Sequence, residues 1–154
     1  MIRILEAAPE HIPEVRERFR EYAAWLKVDL CFRGFEKELA DLPGDYAAPR
    51  GRLLIACDGP HVIGCAALRP LEGRDCEMKR LYVVPAFRGQ GIARRLAVRL
   101  IEEARIIGYA RMLLDTLDSM APARALYASI GFGEIPAYYH NPIPGAVYLE
   151  KKLR

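Results

Sequence analysis

The stretch Glu77-Met78-Lys79-Arg80-Leu81-Tyr82-Val83-Val84-Pro85-Ala86-Phe87-Arg88-Gly89-Gln90-Gly91-Ile92-Ala93 decides the fold. Apolar and β-branched residues through Val84 predict a strand, and Pro85, which has no N–H to donate, ends it. From Gly91 the apolar positions change to helical spacing. Ile92, Ala93, Leu96, Ala97, Leu100, Ile101, Ala104 and Ile107 share one face, with Arg94, Arg95, Arg99, Glu102, Glu103 and Arg105 elsewhere. A strand therefore feeds an amphipathic helix through a basic turn. Gly89 and Gly91 allow backbone geometry that a side chain would obstruct, and they leave successive N–H groups open at the positive end of a helix dipole. Such an end suits a phosphate, and Arg88 adds a fixed positive charge for a pyrophosphate oxygen. A plain structural helix start fits the same residues.

Working outward, residues 2–5 read as a strand. After Ala8-Pro9-Glu10 comes a helix with Ile12, Val15, Phe19, Tyr22 and Leu26 at helical spacing, and residues 35–42 read as a shorter one. Residues 52–57 and 62–68 are apolar strand runs joined by Asp58-Gly59-Pro60-His61, a hairpin turn that leaves His61 in solvent. Gly73-Arg74-Asp75 turns the chain again, into the strand of Glu77. Beyond that strand, Gly108 ends the long helix and residues 111–116 form another strand. Asp118-Ser119-Met120 offer caps for a helix holding Leu126 and Tyr127, which Gly131 ends. Residues 132–135 and 147–153 read as closing strands around the loop Pro136-Ala137-Tyr138-Tyr139-His140-Asn141-Pro142.

The chain has 154 residues, enough for one domain with a proper core, and its 52% hydrophobic and 28% charged residues are far from disorder. A net charge of +3 is modest. Seven basic residues fall between Lys79 and Arg105, which suits a phosphate-rich ligand better than a nucleic-acid groove. Cys31, Cys57, Cys65 and Cys76 form no C-x-x-C pair, so reduced, partly buried thiols are expected and no metal site. Cys57 and Cys65 flank the hairpin and could face each other across it. With no signal peptide and no apolar run long enough to span a bilayer, a soluble cytoplasmic protein is expected.

Two phosphate-binding fingerprints fit poorly. Arg94 occupies the third glycine position of G-x-G-x-x-G, and no Gly-Lys-Ser/Thr follows the turn. Instead, Arg88-x-x-Gly91-x-Ala93 after Leu81-Tyr82-Val83 resembles motif A of the Gcn5-related N-acetyltransferases (GNAT). Ala125-Leu126-Tyr127 followed by Gly131-Phe132 resembles motif B of the same family, at the expected order and distance. The order of elements matches the family over nearly the whole chain.

The resemblance implies an α/β fold, a mixed, mostly antiparallel sheet with splayed central strands flanked by helices, and an acetyl-CoA-dependent N-acetyltransferase. The pantetheine arm would pair with Leu81, Tyr82 and Val83, with the Val83 N–H polarising the thioester carbonyl. The pyrophosphate would rest on Arg88, Gly89, Gln90, Gly91, Ile92 and Ala93, and Arg94 could reach a further phosphate. Glu77 would be the general base, because an alkylamine is mostly protonated at neutral pH, and Tyr127 the acid that helps the thiolate leave. Strand alternation puts Glu77 on the same side as Lys79, Leu81 and Val83. A carboxylate merely paired with Lys79 or Arg80 is the other reading of Glu77, and core packing the other reading of Tyr127.

The acceptor, a small-molecule or peptide amine, would meet Tyr22, Trp25, Tyr138, Tyr139, His140 and Asn141, with Phe32, Arg33 and Tyr46 as further candidates. His140 is an alternative base. No metal is required, and a homodimer is compatible with the family. Two other classes are open: a non-catalytic acyl-CoA-binding sensor on the same fold, and a nucleotide-binding Rossmann-type enzyme with a parallel sheet.

Overall fold

The computed structural model describes residues 1–27 and 34–154; Cys31, Phe32 and Arg33 lie outside the described residues. Seven strands form one sheet: β1 (Ile2–Glu6), β2 (Arg52–Asp58), β3 (His61–Pro70), β4 (Asp75–Val83), β5 (Arg111–Leu117), β6 (Gly133–Ile135) and β7 (Ala146–Lys152). Their order is β1-β2-β3-β4-β5-β7-β6, and all neighbours are antiparallel except β4 and β5. This excludes the parallel Rossmann sheet. The helices are α1 (Ile12–Leu26), α2 (Phe35–Asp41), α3 (Ile92–Ile107) and α4 (Ala121–Ser129). None of the described helices is long and apolar enough to cross a membrane.

Local chemistry explains the joints. Asp58 pairs with His61 across a two-residue turn in which Gly59 has φ 57°, and His61 is exposed. A parallel β4/β5 pair needs a long crossover, which α3 supplies.

Strand alternation divides the interior into two cores. Leu54 and Ala56 pack under α3 with Leu96, Leu100 and Tyr127, whereas Leu53, Ile55 and Cys57 meet Val15 and Phe19 of α1 and Leu39 of α2. Leu96 and Leu100 are fully buried, each contributing about 1.5–3 kcal/mol.

Three expectations are corrected. Cys57 pairs with Val62 and Cys65 with Ile55, so the two thiols do not oppose each other, and both are free. The two-residue turn that pairs Asp58 with His61 sets Cys57 opposite Val62, three positions short of Cys65. Burial pushes the Cys65 thiol up to about 12, leaving it inert. The N-cap of α4 is Met120, without a side-chain cap from Asp118 or Ser119, because the chain is already turning there through the Met120 N–H to Leu117 O bond.

The third correction concerns β4. Cys65 pairs with Tyr82 but Ala67 with Lys79, so Arg80 and Leu81 together oppose Ala66, and Arg80 has φ 60°. This bulge reverses the alternation. Cys76 and Met78 face the α3 core before it, and Leu81 and Val83 do so after it. Glu77 and Lys79 therefore share the other face with Tyr82, not with Leu81 and Val83.

Candidate active site

Strands β4 and β5 are paired only where Asp75, Cys76 and Glu77 meet Arg111, Met112 and Leu113. Beyond that, β5 stays with β7 over all its length while β4 stays with β3, so the two part. A cavity of about 480 Å³ opens in the gap. Its wall includes Tyr22 and Trp25 of α1 on one face of the sheet, and Ile92, Leu126 and Tyr127 of α3 and α4 on the other. The opening thus passes through the sheet.

Of the residues read from the glycine turn and its strand, Leu81, Tyr82, Val83, Arg88, Gly89, Gly91, Ile92 and Ala93 line the cavity, and Gln90 does not. Gly89 and Gly91 have φ 82° and 78°, and a Cβ at either would meet nothing within 4 Å. Their role is thus conformational and leaves the approach clear. Gly91 caps α3 without a side-chain bond, and no acid lies in the first turn. The helix start keeps its first N–H groups and positive dipole end for an anion.

The Val84 N–H donates to Ile63 O at 2.9 Å. By alternation the Val83 N–H and C=O point the opposite way, into the gap. Arg88 already uses that edge: its Nε donates to Val83 O at 2.8 Å, and its guanidinium stacks over Trp25 and Tyr82. Arg94 reaches the cavity wall and donates to Ser129 Oγ at 2.8 Å.

Tyr127 lines the cavity with its ring edge-on to Phe132. Burial, then the nearby Tyr22 and the Asp115 charge, push its phenol well above the ordinary range, so it stays a protonated donor.

Glu77 is 0% exposed and does not line the cavity. It accepts from Arg69 Nε at 2.7 Å and from Tyr138 OH at 2.5 Å, with Lys79 Nζ 3.8 Å away. Arg69 sits directly opposite it on β3, a partner visible only once the register is known. Arg80 instead makes two bonds to Glu38 of α2, at 2.9 and 2.8 Å.

Among the acceptor candidates, Tyr22, Trp25, Tyr139 and Asn141 line the cavity, whereas Tyr138 and His140 do not. Tyr138 packs on Tyr139 and Tyr148 and is tied to Glu77, which turns it inward. Tyr46 belongs to a separate hollow of about 260 Å³ beside Glu38, Arg69 and Lys79. Sequence reasoning missed Asp115, a β5 carboxylate on the cavity wall that accepts from Tyr139 OH and from Asn141 Nδ2. An acid in mid-strand, where aspartate is disfavoured, was its signal. Among the described residues, no three or more His, Cys, Asp or Glu side chains gather to hold a metal.

Residues 12–132 match the family model described as the Acetyltransferase (GNAT) family. The chain is 39% identical over 147 residues to an uncharacterized N-acetyltransferase of Schizosaccharomyces pombe, covering 94% of this chain and 90% of that one. A GNAT-family acetyltransferase structure from Staphylococcus aureus has a TM-score of 0.85 over 100% of both chains at 18% identity. The PaiA N-acetyltransferase of Thermoplasma acidophilum, in complex with coenzyme A, has a TM-score of 0.79 over 99% of each chain, also at 18%. At that identity these two likenesses show the fold.

Proposed function

Because the chain belongs to the GNAT family of acetyltransferases, we propose that it takes acetyl-CoA into the gap between β4 and β5 and passes the acetyl group directly to a primary amine. The observation that carries this is the cavity through the sheet: it joins an open helix start on one face to an aromatic chamber under α1 on the other. Two substrates can meet in it from opposite faces. The coenzyme bound by the Thermoplasma acidophilum protein of the same fold supports the choice of ligand.

The N–H groups from Gly89 to Ala93 would hold the pyrophosphate, and the Leu81 and Val83 backbone would pair with the pantetheine arm. The Val83 N–H would stabilise negative charge as it grows on the thioester oxygen. Tyr127 would donate to the departing sulfur. Direct attack is favoured because the described cavity wall holds no cysteine or serine to carry the acetyl group, and no histidine to activate Thr116. Glu77, shut away behind the wall, would act by fixing Arg69, Lys79 and Tyr138 in place.

Calorimetry with CoA, followed by thiol release from acetyl-CoA with a panel of amino acids, peptides and alkylamines, tests the proposal. CoA binding with amine-dependent thiol release is expected. Binding without release under every amine would replace the enzyme with an acyl-CoA sensor, and no binding would remove both.

A further inference from the structure

We infer that Asp115 receives the acceptor: its carboxylate binds the substrate's ammonium and takes the proton that must leave before nitrogen attacks. This rests on the acetyl-transfer reading above.

Among the described residues lining the cavity, Asp115 is the one carboxylate, set against Lys79, Arg80, Arg88 and Arg94. A cationic amine entering the gap therefore meets a single attractive charge. That charge is aimed. Tyr139 OH and Asn141 Nδ2, the latter at 2.9 Å, both bond to Oδ2, which holds the carboxylate and keeps Oδ1 for a further donor. Asn141 is itself fixed by Tyr139 OH at 3.2 Å.

The location is right as well. Tyr22 of α1, Asp115 and Tyr127 of α4 line the same cavity, so the carboxylate shares the gap with the aromatic chamber and with the acid expected at the sulfur. Tyr138 feels the Asp115 charge, and Tyr148 is the partner of Asp115 on β7. Glu77 has no such access.

Oδ1 accepts one ammonium proton, and the freed lone pair forms the N–C bond at the thioester carbonyl. The C–S bond then breaks, with Tyr127 giving its proton to sulfur. A second proton leaves nitrogen as the amide forms and restores Tyr127, while Asp115 releases its proton to water. Overall, an ammonium and a thioester give an amide, a thiol and one free proton.

Asp115→Asn keeps the shape and can still accept from Tyr139. With the best amine from the panel, kcat/KM of the wild type should be flat from about pH 6 to about pH 9. The variant should be about 100-fold slower at pH 7 and rise roughly tenfold per pH unit toward the amine's own ionisation near 10. A second readout needs no turnover. Trp25, the one tryptophan of the chain, lines the cavity, so its fluorescence can report binding to the CoA complex. Asp115→Asn should weaken tyramine at least tenfold and leave 4-ethylphenol, the same ring without the amine, within twofold. Calorimetric CoA affinity should not change. The inference is overturned if Asp115→Asn keeps the flat profile while Glu77→Gln acquires the rise, or if tyramine and 4-ethylphenol weaken equally. Failure of the wild type itself to bind CoA would sink the acetyl-transfer reading, and this inference with it.

Discussion

The Arg88 guanidinium lies 4.6 Å from the centre of the Trp25 ring. A residue of the glycine turn is thereby clamped to α1, while its Nε holds the Val83 carbonyl. Arg88→Ala should weaken CoA about tenfold by calorimetry, equivalent to about 1.4 kcal/mol, and should shift Trp25 emission. Arg88→Lys should not restore either, because an ammonium cannot stack as a plane and hold that carbonyl at once.

Gly91 stands at φ 78° with open space around it, so Gly91→Ala tests conformation without steric conflict. About 1–2 kcal/mol of strain is expected, seen as a fall in Tm of roughly 2–8 °C with the fold retained. Affinity for CoA should drop in parallel if α3 relaxes its first turn. Undiminished affinity would count against the cradle.

Tyr127→Phe removes only the hydroxyl. A loss of about 100-fold or more in kcat, with CoA affinity within threefold, is the expected result of stopped thiol-release assays. Since burial raises the phenol's ionisation, activity should not decline on the alkaline side through loss of this proton below about pH 10.

Burial alone would raise the Glu38 carboxyl, but two bonds from Arg80 and the Arg80 charge outweigh it and hold the group below its ordinary value of 4.5. A lowered carboxyl stabilises the fold above the unfolded value, and that contribution is lost as pH falls through the folded one. Denaturant melts should therefore show stability declining below about pH 4.5, less steeply in Glu38→Gln. At pH 7 that variant leaves Arg80, 4% exposed, without its carboxylate. About 3 kcal/mol and roughly 10 °C in Tm should be lost.

The elements that position the cavity were legible because their signals are local. Gly59 marks the hairpin, Pro85 the strand end, Gly91 and Gly108 the two ends of α3, and each lies where the chain turns. Asp115 escaped notice because its partners, Tyr139 and Asn141, are 24 and 26 residues away. Strand alternation misplaced Glu77 beside Leu81 and Val83, and its accessibility depends on Arg69 across the ladder and on Tyr138, 61 residues on. The bulge carried no glycine to announce it. Arg80 holds its unusual backbone through α2, a contact that no neighbouring residue encodes.

That one surplus residue lets β4 change phase halfway. Were the bulge straightened with every residue kept, Arg80 would oppose Ala66 and everything after it would slip by one, so that Tyr82 and Val83 would exchange orientations. The Val83 amide would then bury itself in the β3 ladder, and the thioester would find no donor waiting. A strand pleated in that regular way would be catalytically mute.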